Sequence, residues 1–383
     1  MKEIDYDAHN EEVRRVWEAY WRGEPFRVPM ILGISAQWSL SMPEANPEGY
    51  DFRQYMRDPE VMLRHELREQ WWVRHRVPQD AEMGLPEAWT VFVDGQNVFE
   101  AGWFGGRVVL REDHPPSAEP VLTDDRKWEI LDRGLPDPFD NEWARWNWDR
   151  YEYFKQKEEE GLEFEGRPVK AGDPVGLGTD GPFTVAFQLR GADALCLDLV
   201  LDPDYYHQLM DFIVEATIAR MKAYYEALDR PLPNNAWGFA DDAIQLVSDA
   251  MYREHILPYH RRLVNLFGPE GPNSIHLCGD ATHLFRTIRD ELRVQQFDTG
   301  YPVDFGWLRA ELGPEVTILG GPRVDLLRKG PPQAIEQEVR RIMNSGIREG
   351  GRFILREANN VAPHTPVEHI AAMYRACKEY GRY

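Results

Sequence analysis

His276 and Cys278 are the residues whose types and spacing most clearly indicate chemistry. They stand two positions apart in a stretch where Ile275 and Leu277 alternate with them. This alternation predicts a short buried strand that carries both polar side chains on one side near its carboxyl end. An imidazole nitrogen and a thiolate sulfur are both ligands that zinc favours. The pair therefore indicates a metal site.

A second interpretation of this pair stays open on residue chemistry alone. His-x-Cys is a short spacing that also arises by chance. In that case His276 is a core histidine bonded to a backbone carbonyl, and Cys278 is an inert buried thiol. The residues around the pair decide how far the metal interpretation is supported.

Polar side chains also follow the other strands that we predict in the second half of the chain. If those strands form a barrel, their carboxyl ends meet at one mouth, where barrel enzymes place their chemistry. We predict Asp241 and Asp242 as catalytic residues, acting as proton donor or hydrogen-bond acceptor. The predicted substrate-binding residues are Asp180, Trp237, Asp298, Arg323, Asn359 and Asn360.

Structural alternatives exist for single members of this set. Asp241 could cap the following segment, and Arg323 could pair with Glu357 in a structural ion pair. Adjacent residues of an extended segment point to opposite sides. We therefore expect one of the two adjacent acids to face the mouth and choose Asp241, with Asp242 fixing the loop by accepting backbone hydrogen bonds.

Strands and helices alternate regularly from about residue 172 onwards. The predicted strands lie near 235–240, 273–278, 294–297, 316–319 and 352–356, and the predicted helices between and around them include 184–200, 248–267 and 366–380. Such alternation predicts parallel βαβ units with right-handed crossovers. Seven or eight units fit a (β/α)₈ TIM barrel better than an open sheet, and no Gly-x-Gly-x-x-Gly fingerprint of dinucleotide binding follows an early strand. We predict a single α/β domain over 1–383.

The first 150 residues are less regular and rich in tryptophan. A helix is predicted over 58–77 and strands over 89–93 and 106–111, and 11 of the 13 tryptophans precede residue 150. The aromatic side chains could supply the core of an elaborated N-terminal region, or some of them could wall an apolar ligand pocket. We predict that 91–170 is an insertion or cap at the mouth.

Composition limits the classes of partner. The chain has 44 Lys and Arg against 65 Asp and Glu, a net charge of −21, which repels nucleic acid and anionic lipid. It has no apolar run of the roughly 20 residues that cross a membrane, and no secretory signal pattern at its start. Three cysteines in 383 residues do not indicate a disulfide framework. We expect a cytoplasmic protein without nucleic-acid or membrane partners.

The second half of the chain resembles the uroporphyrinogen decarboxylase superfamily, and within it the zinc-dependent methyltransferases of corrinoid systems. The matching segments are Phe239-Ala240-Asp241-Asp242, Ile275-His276-Leu277-Cys278-Gly279-Asp280, Ile318-Leu319-Gly320-Gly321-Pro322 and Asn359-Asn360-Val361-Ala362-Pro363-His364-Thr365-Pro366. Known members are (β/α)₈ barrels. The resemblance is looser over 25–140.

The resemblance also separates two branches of that superfamily. The arginine-rich N-terminal segment with which the decarboxylases grip substrate carboxylates has no counterpart, since residues 34–39 contain no cation. The methyltransferases hold zinc with His-x-Cys and a later Cys, which His276 and Cys278 match in part. The third position falls at Asn359, a poor zinc ligand, so Glu357 or a nearby acid would complete the set.

The resemblance implies a methyltransferase of a corrinoid-dependent methyl-transfer or O-demethylation system that acts on a small methyl donor or acceptor. The chain lacks the Asp-x-His-x-x-Gly motif that binds a corrinoid from below, so the corrinoid would be free or carried by a partner protein. Two alternatives remain on the same barrel: a metal-free decarboxylase or lyase, and a catalytically silent ligand-binding relative.

Overall fold

The computed structural model of this protein describes residues 5–112 and 114–383. Within these ranges the strands are β1 Trp89–Val91, β2 Arg107–Val109, β3 Ser117–Glu119, β4 Glu163–Phe164, β5 Arg167–Ala171, β6 Gly238–Ala240, β7 Asn273–Leu277, β8 Val294–Thr299, β9 Thr317–Gly320 and β10 Phe353–Leu355.

Strands β6 to β10 form one parallel sheet in chain order. Two parallel bridges extend this sheet at its ends, because Met30 pairs with Leu355 and Asp180 pairs with Ala240. With β1 between these two segments in chain order, the strands are those of a (β/α)₈ TIM barrel, which confirms the predicted fold. In β7 every second residue is buried, as the alternation of Ile275 and Leu277 predicts.

Helices follow the strands and cover the outside of the sheet. In the described ranges the α-helices are α1 Tyr6–Trp21, α2 Ala36–Ser39, α3 Phe52–Arg57, α4 Pro59–Arg76, α5 Phe99–Trp103, α6 Glu129–Asp132, α7 Glu142–Glu159, α8 Pro182–Arg190, α9 Ala192–Leu201, α10 Pro203–Ala227, α11 Asp249–Met251, α12 Leu257–Phe267, α13 Phe285–Leu292, α14 Phe305–Leu312, α15 Val324–Lys329, α16 Pro332–Met343 and α17 Val367–Tyr380. Among the residues that the structure describes, no helix is both long and apolar enough to span a bilayer.

Two predicted helices are divided. The helix expected over 184–200 is split into α8 and α9 by Gly191, whose φ of 87° ends the first helix. The helix expected over 248–267 contains a π-helical turn at Tyr252–Ile256 ahead of Pro258. Because proline has no N–H to donate to the preceding turn, the helix widens before it.

Several tryptophans of the first half lie in the core. Trp38, Trp72, Trp89 and Trp103 are fully buried, and the Trp38 and Trp72 rings meet edge to face at 4.7 Å. These four side chains therefore support the core interpretation rather than the walls of a ligand pocket.

The first strand segment and the last helix are tied together by a buried ion pair. Arg27 donates to both oxygens of Asp80 at 2.7 Å, and Asp80 also accepts from the Met30 N–H at 2.7 Å and the Tyr374 hydroxyl at 2.9 Å. The Val28 N–H donates to the Gly381 carbonyl at 2.8 Å. These bonds connect the beginning of the barrel to its end.

Candidate functional site

Three side chains with different donor atoms meet at the carboxyl ends of β6 and β7. Asp242 begins the short 3₁₀ helix Asp242–Leu246 after β6, His276 lies near the end of β7, and Cys278 directly follows that strand. One ligand atom from each lies within 4.8 Å of the others, and all three side chains are half-buried. The side chains of His276 and Cys278 thus lie close together, as their spacing in the sequence predicts, and the side chain of Asp242 lies beside them.

His276 is oriented by a carboxylate behind it. Its Nδ1 lies 2.8 Å from Asp298 Oδ2, which also accepts a hydrogen bond of 2.6 Å from Arg356 Nη1. A neutral imidazole would therefore carry its proton on Nδ1, and Nε2 lies 4.0 Å from Asp242 Oδ1. Burial alone would lower the pKa of His276, but the hydrogen bond and charge of Asp298, with the charge of Asp242, raise it.

Cys278 is held against Asp242 through its backbone, since its N–H donates to Asp242 Oδ1 at 2.7 Å. Burial, followed by the charge of Asp242, raises the pKa of the Cys278 thiol well above its ordinary value. The thiol is therefore protonated at neutral pH unless a cation stabilises the thiolate.

The donor chemistry of this cluster fits zinc. Nitrogen, sulfur and carboxylate oxygen are its three protein ligand types, and three protein ligands with an open fourth position are typical of catalytic zinc. A histidine whose other nitrogen donates to a carboxylate is the usual arrangement behind such a ligand. Asp242, His276 and Cys278 are thus the residues that could hold the metal.

Glu357, which we predicted as the third metal ligand, lies outside this cluster of ligand atoms. Its side chain is fully buried and its Oε1 accepts from the Gly33 N–H at 2.8 Å and from Arg356 Nε at 3.3 Å. Burial raises the pKa of Glu357 to about 7, against the opposing charge of Arg356. The acid whose oxygen lies close to His276 and Cys278 is Asp242.

The structure reverses the orientations that we expected for the two adjacent acids. Asp241 is fully buried and accepts three hydrogen bonds at the start of α8. They come from Thr184 N at 2.8 Å, Thr184 Oγ1 at 2.7 Å and Phe183 N at 3.2 Å. The Oδ2 atom of Asp241 also lies 2.8 Å from His260 Nε2. Unpaired N–H groups of a helix start attract a carboxylate, which turns Asp241 away from the mouth. Asp242 is the acid beside His276 and Cys278.

The predicted substrate-binding residues fall into different environments. Asp180 lies at a strand end beside β6, and burial, followed by the charges of Glu100 and the two acids after β6, raises its pKa to about 8. Asn360 Oδ1 and the Asn359 carbonyl accept hydrogen bonds from Arg356 at 3.1 and 3.2 Å.

Asp298, Arg323 and Trp237 complete that set. Asp298 holds His276, and Arg323 is half exposed after β9 and paired with Asp325 at 3.0 Å. Trp237 precedes β6, so it lies at the opposite end from the mouth, and its buried ring stacks on Phe239. Its predicted contact with substrate is therefore wrong.

Arg356 and Gly33 were missed in the sequence. Arg356 directly follows β10, so the rule that strand ends carry chemistry would have selected it together with Glu357. Gly33 offers no side chain to recognise, although its N–H binds Glu357.

The family profile described as "Uroporphyrinogen decarboxylase (URO-D)" matches residues 169–380, more than half of the chain. A "Methylated-thiol--coenzyme M methyltransferase" of Methanosarcina mazei is 30% identical over 204 residues, which are 52% of this chain and 51% of that protein. A "Uroporphyrinogen decarboxylase" of Pelobacter propionicus is 26% identical over 181 residues, 47% and 51% of the two chains. This chain thus spans about half the length of these curated relatives.

A solved structure has the same fold over nearly the whole chain. It is described as "methyltransferase from Methanosarcina mazei" and superposes with a TM-score of 0.65 at 17% identity, covering 96% of this chain and 98% of the other.

Proposed function

This chain belongs to the uroporphyrinogen decarboxylase family, and from that premise we propose that it is a methyltransferase that activates its substrate with a metal ion at the barrel mouth. The observation that carries the proposal is the cluster of Asp242, His276 and Cys278. Support also comes from the relative whose printed name is a methyltransferase acting on a methylated thiol and coenzyme M.

Each residue of the proposed site has a task that follows from its contacts. His276 Nε2, Cys278 Sγ and a carboxylate oxygen of Asp242 would bind the metal, and Asp298 would keep the His276 proton on Nδ1. When bound, zinc polarises a substrate heteroatom or stabilises a thiolate as nucleophile.

Asp180 would supply a hydrogen-bond donor to substrate. Burial and the charges of Glu100 and the acids after β6 raise the pKa of its carboxyl to about 8 in the metal-free site, and the side chain stands at the same mouth. A protonated carboxyl can donate to the heteroatom from which the methyl group leaves, where negative charge develops as that bond breaks.

We propose a corrinoid as the other methyl carrier, either free or on a partner protein. The chain itself has no Asp-x-His-x-x-Gly motif, so it would act on a corrinoid that it does not hold permanently. Methylcobalamin with a thiol acceptor is the matching probe, and a methyl aryl ether with reduced cobalamin probes demethylation.

The proposal is tested by metal content and methyl transfer together. Purified protein supplied with zinc should retain about one zinc per chain, and Cys278→Ala and His276→Ala should lose both metal and transfer. Cys196→Ala changes another half-buried cysteine and should keep both. Wild-type protein that binds no zinc and transfers no methyl group would refute the proposal.

A metal-free decarboxylase or lyase is the second candidate. It is favoured by the protonated carboxyl of Asp180 at the mouth and by the curated relatives named uroporphyrinogen decarboxylase. Turnover of a carboxylated substrate that survives removal of zinc by a chelator would support it over the methyltransferase.

A further inference from the structure

We propose that Arg356 is a positioning residue for the metal site, and that Gly33 is glycine because the Arg356 guanidinium occupies the space of a side chain. This inference rests on the proposed metal site. Arg356 would touch neither metal nor substrate, and would act through Asp298 on His276.

Asp298 is the link between the arginine and the histidine. Its Oδ2 accepts from both His276 Nδ1 and Arg356 Nη1, whereas its Oδ1 is buried and lacks a partner among the described residues. A carboxylate bound through one oxygen can rotate about its side-chain bonds. The second bond, from Arg356, fixes the oxygen that receives the imidazole proton and so fixes the direction of Nε2.

Arg356 is in turn held by its own loop. Nε donates to Glu357 Oε1 at 3.3 Å, and Nη2 donates to the Asn359 carbonyl at 3.2 Å and to Asn360 Oδ1 at 3.1 Å. With the bond to Asp298, these contacts use four of the five N–H donors of the guanidinium. An arginine engaged in this way has little capacity left to clamp a substrate anion, so its geometry is that of a support.

Gly33, in the first strand segment, packs against the loop that carries Arg356. A Cβ at this position would lie 2.2 Å from Arg356 Nη2 and 2.6 Å from both Asn360 Oδ1 and Glu357 Oε1. The φ of Gly33 is outside the left-handed region, so backbone conformation does not require glycine there. Glycine is required for space. The Gly33 N–H donates to Glu357 Oε1 at 2.8 Å, and this bond holds the Gly33 backbone so close to the loop that a Cβ would overlap its side chains.

The experiment measures the metal site directly rather than through turnover. Wild-type, Arg356→Lys, Gly33→Ala and Asp298→Asn proteins are loaded with zinc or cobalt(II). Zinc dissociation constants come from chelator competition, and the visible absorption of cobalt reports ligand geometry. We expect each variant to bind zinc about 10- to 100-fold more weakly and to change the cobalt spectrum.

Two controls separate positioning from general damage. Gly178→Ala adds a methyl group at a glycine that has open space and no left-handed φ, and Arg341→Lys alters an exposed arginine of α16 that pairs with Glu338. Both should keep the wild-type dissociation constant and spectrum. Melting temperatures and circular dichroism of every variant show whether it is folded, and Gly33→Ala leaves the inference testable if Arg356→Lys does not fold.

The outcomes distinguish this inference from the proposed function. If wild type binds zinc and folded Arg356→Lys and Gly33→Ala match its dissociation constant within twofold, with the same cobalt spectrum, the positioning role is wrong while the metal site stands. If wild type binds neither metal, both proposals fall together.

Discussion

Asp241 and Asp242 are adjacent in sequence but have different surroundings. Asp241 is fully buried and bonded to the start of α8 and to His260, whereas Asp242 is half-buried beside His276 and Cys278. Asp241→Ala should lower the free energy of unfolding by about 3–5 kcal/mol, because it leaves buried donors without their charged acceptor. Asp242→Asn should change stability much less and lose zinc. Urea unfolding and metal analysis measure the two effects.

The reverse pattern would contradict this assignment. An Asp241→Ala protein with wild-type stability but no zinc, paired with an Asp242→Asn protein that keeps zinc, would show that Asp241 serves the site.

The sequence predicted part of this site for clear physical reasons. His276 and Cys278 were found because strand alternation reaches the end of β7 intact. The choice between Asp241 and Asp242 failed because β6 ends at Ala240, and beyond that point the start of α8 decides where a carboxylate turns. Glu357 was misassigned because its partner Gly33 lies at a distant position that no local pattern reveals.

At the scale of elements, helix α4 carries two acidic side chains on the face that packs against the protein interior. Glu69 and Glu66 lie on its inner face, where Ser39 donates to Glu69 and the Tyr55 hydroxyl bonds both Glu66 and Asp94. Burial raises the pKa of Glu69 to about 7 and that of Glu66 well above its ordinary value. These carboxyls therefore keep their protons in the folded protein at a pH where the unfolded chain has released them.

This difference predicts a pH dependence of stability. A carboxyl whose folded pKa exceeds its unfolded value contributes stability at low pH and loses it as the pH rises, here from about 4.5 to about 7 for Glu69. Glu69→Gln keeps an acceptor for Ser39 and should flatten the fall in stability between pH 5 and pH 8. Urea unfolding across that range measures it.

Glu60→Gln on the outer face of α4 is the matched control. Burial alone would raise the pKa of Glu60, but hydrogen bonds from Tyr153 and Arg64 lower it. The carboxylate of Glu60 therefore adds stability as the pH rises, which is the opposite of the effect of Glu69. The fall in stability between pH 5 and pH 8 should persist in Glu60→Gln. Parallel profiles for wild type and Glu69→Gln would show that Glu69 does not carry the effect.

Element boundaries were predictable where local signals were strong. The helix expected over 58–77 is α4, Pro59–Arg76, which starts at the cap Asp58 followed by proline. The strands expected near 89–93 and 106–111 shorten to β1 and β2. The divisions at Gly191 and Pro258 were missed because the apolar pattern continues through both.

At the scale of the molecule, barrel closure depends on a buried charge pair. Arg27 and Asp80 bond through two contacts of 2.7 Å, and Tyr374 of α17 joins them. Asp80→Ala should cost about 3–5 kcal/mol of unfolding free energy, because it removes the buried partner of Arg27 and leaves that arginine only the partly exposed Glu12. Glu12→Ala removes a more exposed partner of the same arginine and should cost about 1 kcal/mol or less. Equal losses in chemical denaturation would refute this account.

The overall fold was predictable because strand and helix periodicities alternate through the second half of the chain. The fold of the first half was harder to predict. Its first strand segment pairs through Met30 with Leu355, a partner far away in the sequence. The cap that we predict over 91–170 remains a prediction.

The bond between Gly33 and Glu357 spans 324 positions of the chain. A ribosome adds about 5–20 residues per second, so roughly 15–65 s pass between the synthesis of these two residues. Throughout that interval the strand segment around Met30 exists without its partner strand β10. A nascent chain that pauses just before residue 353 already carries Asp242, His276 and Cys278, but lacks the strand end that supplies Arg356 and Glu357. Translation itself therefore delays the assembly of the candidate site until β10 and the residues that follow it have been synthesised.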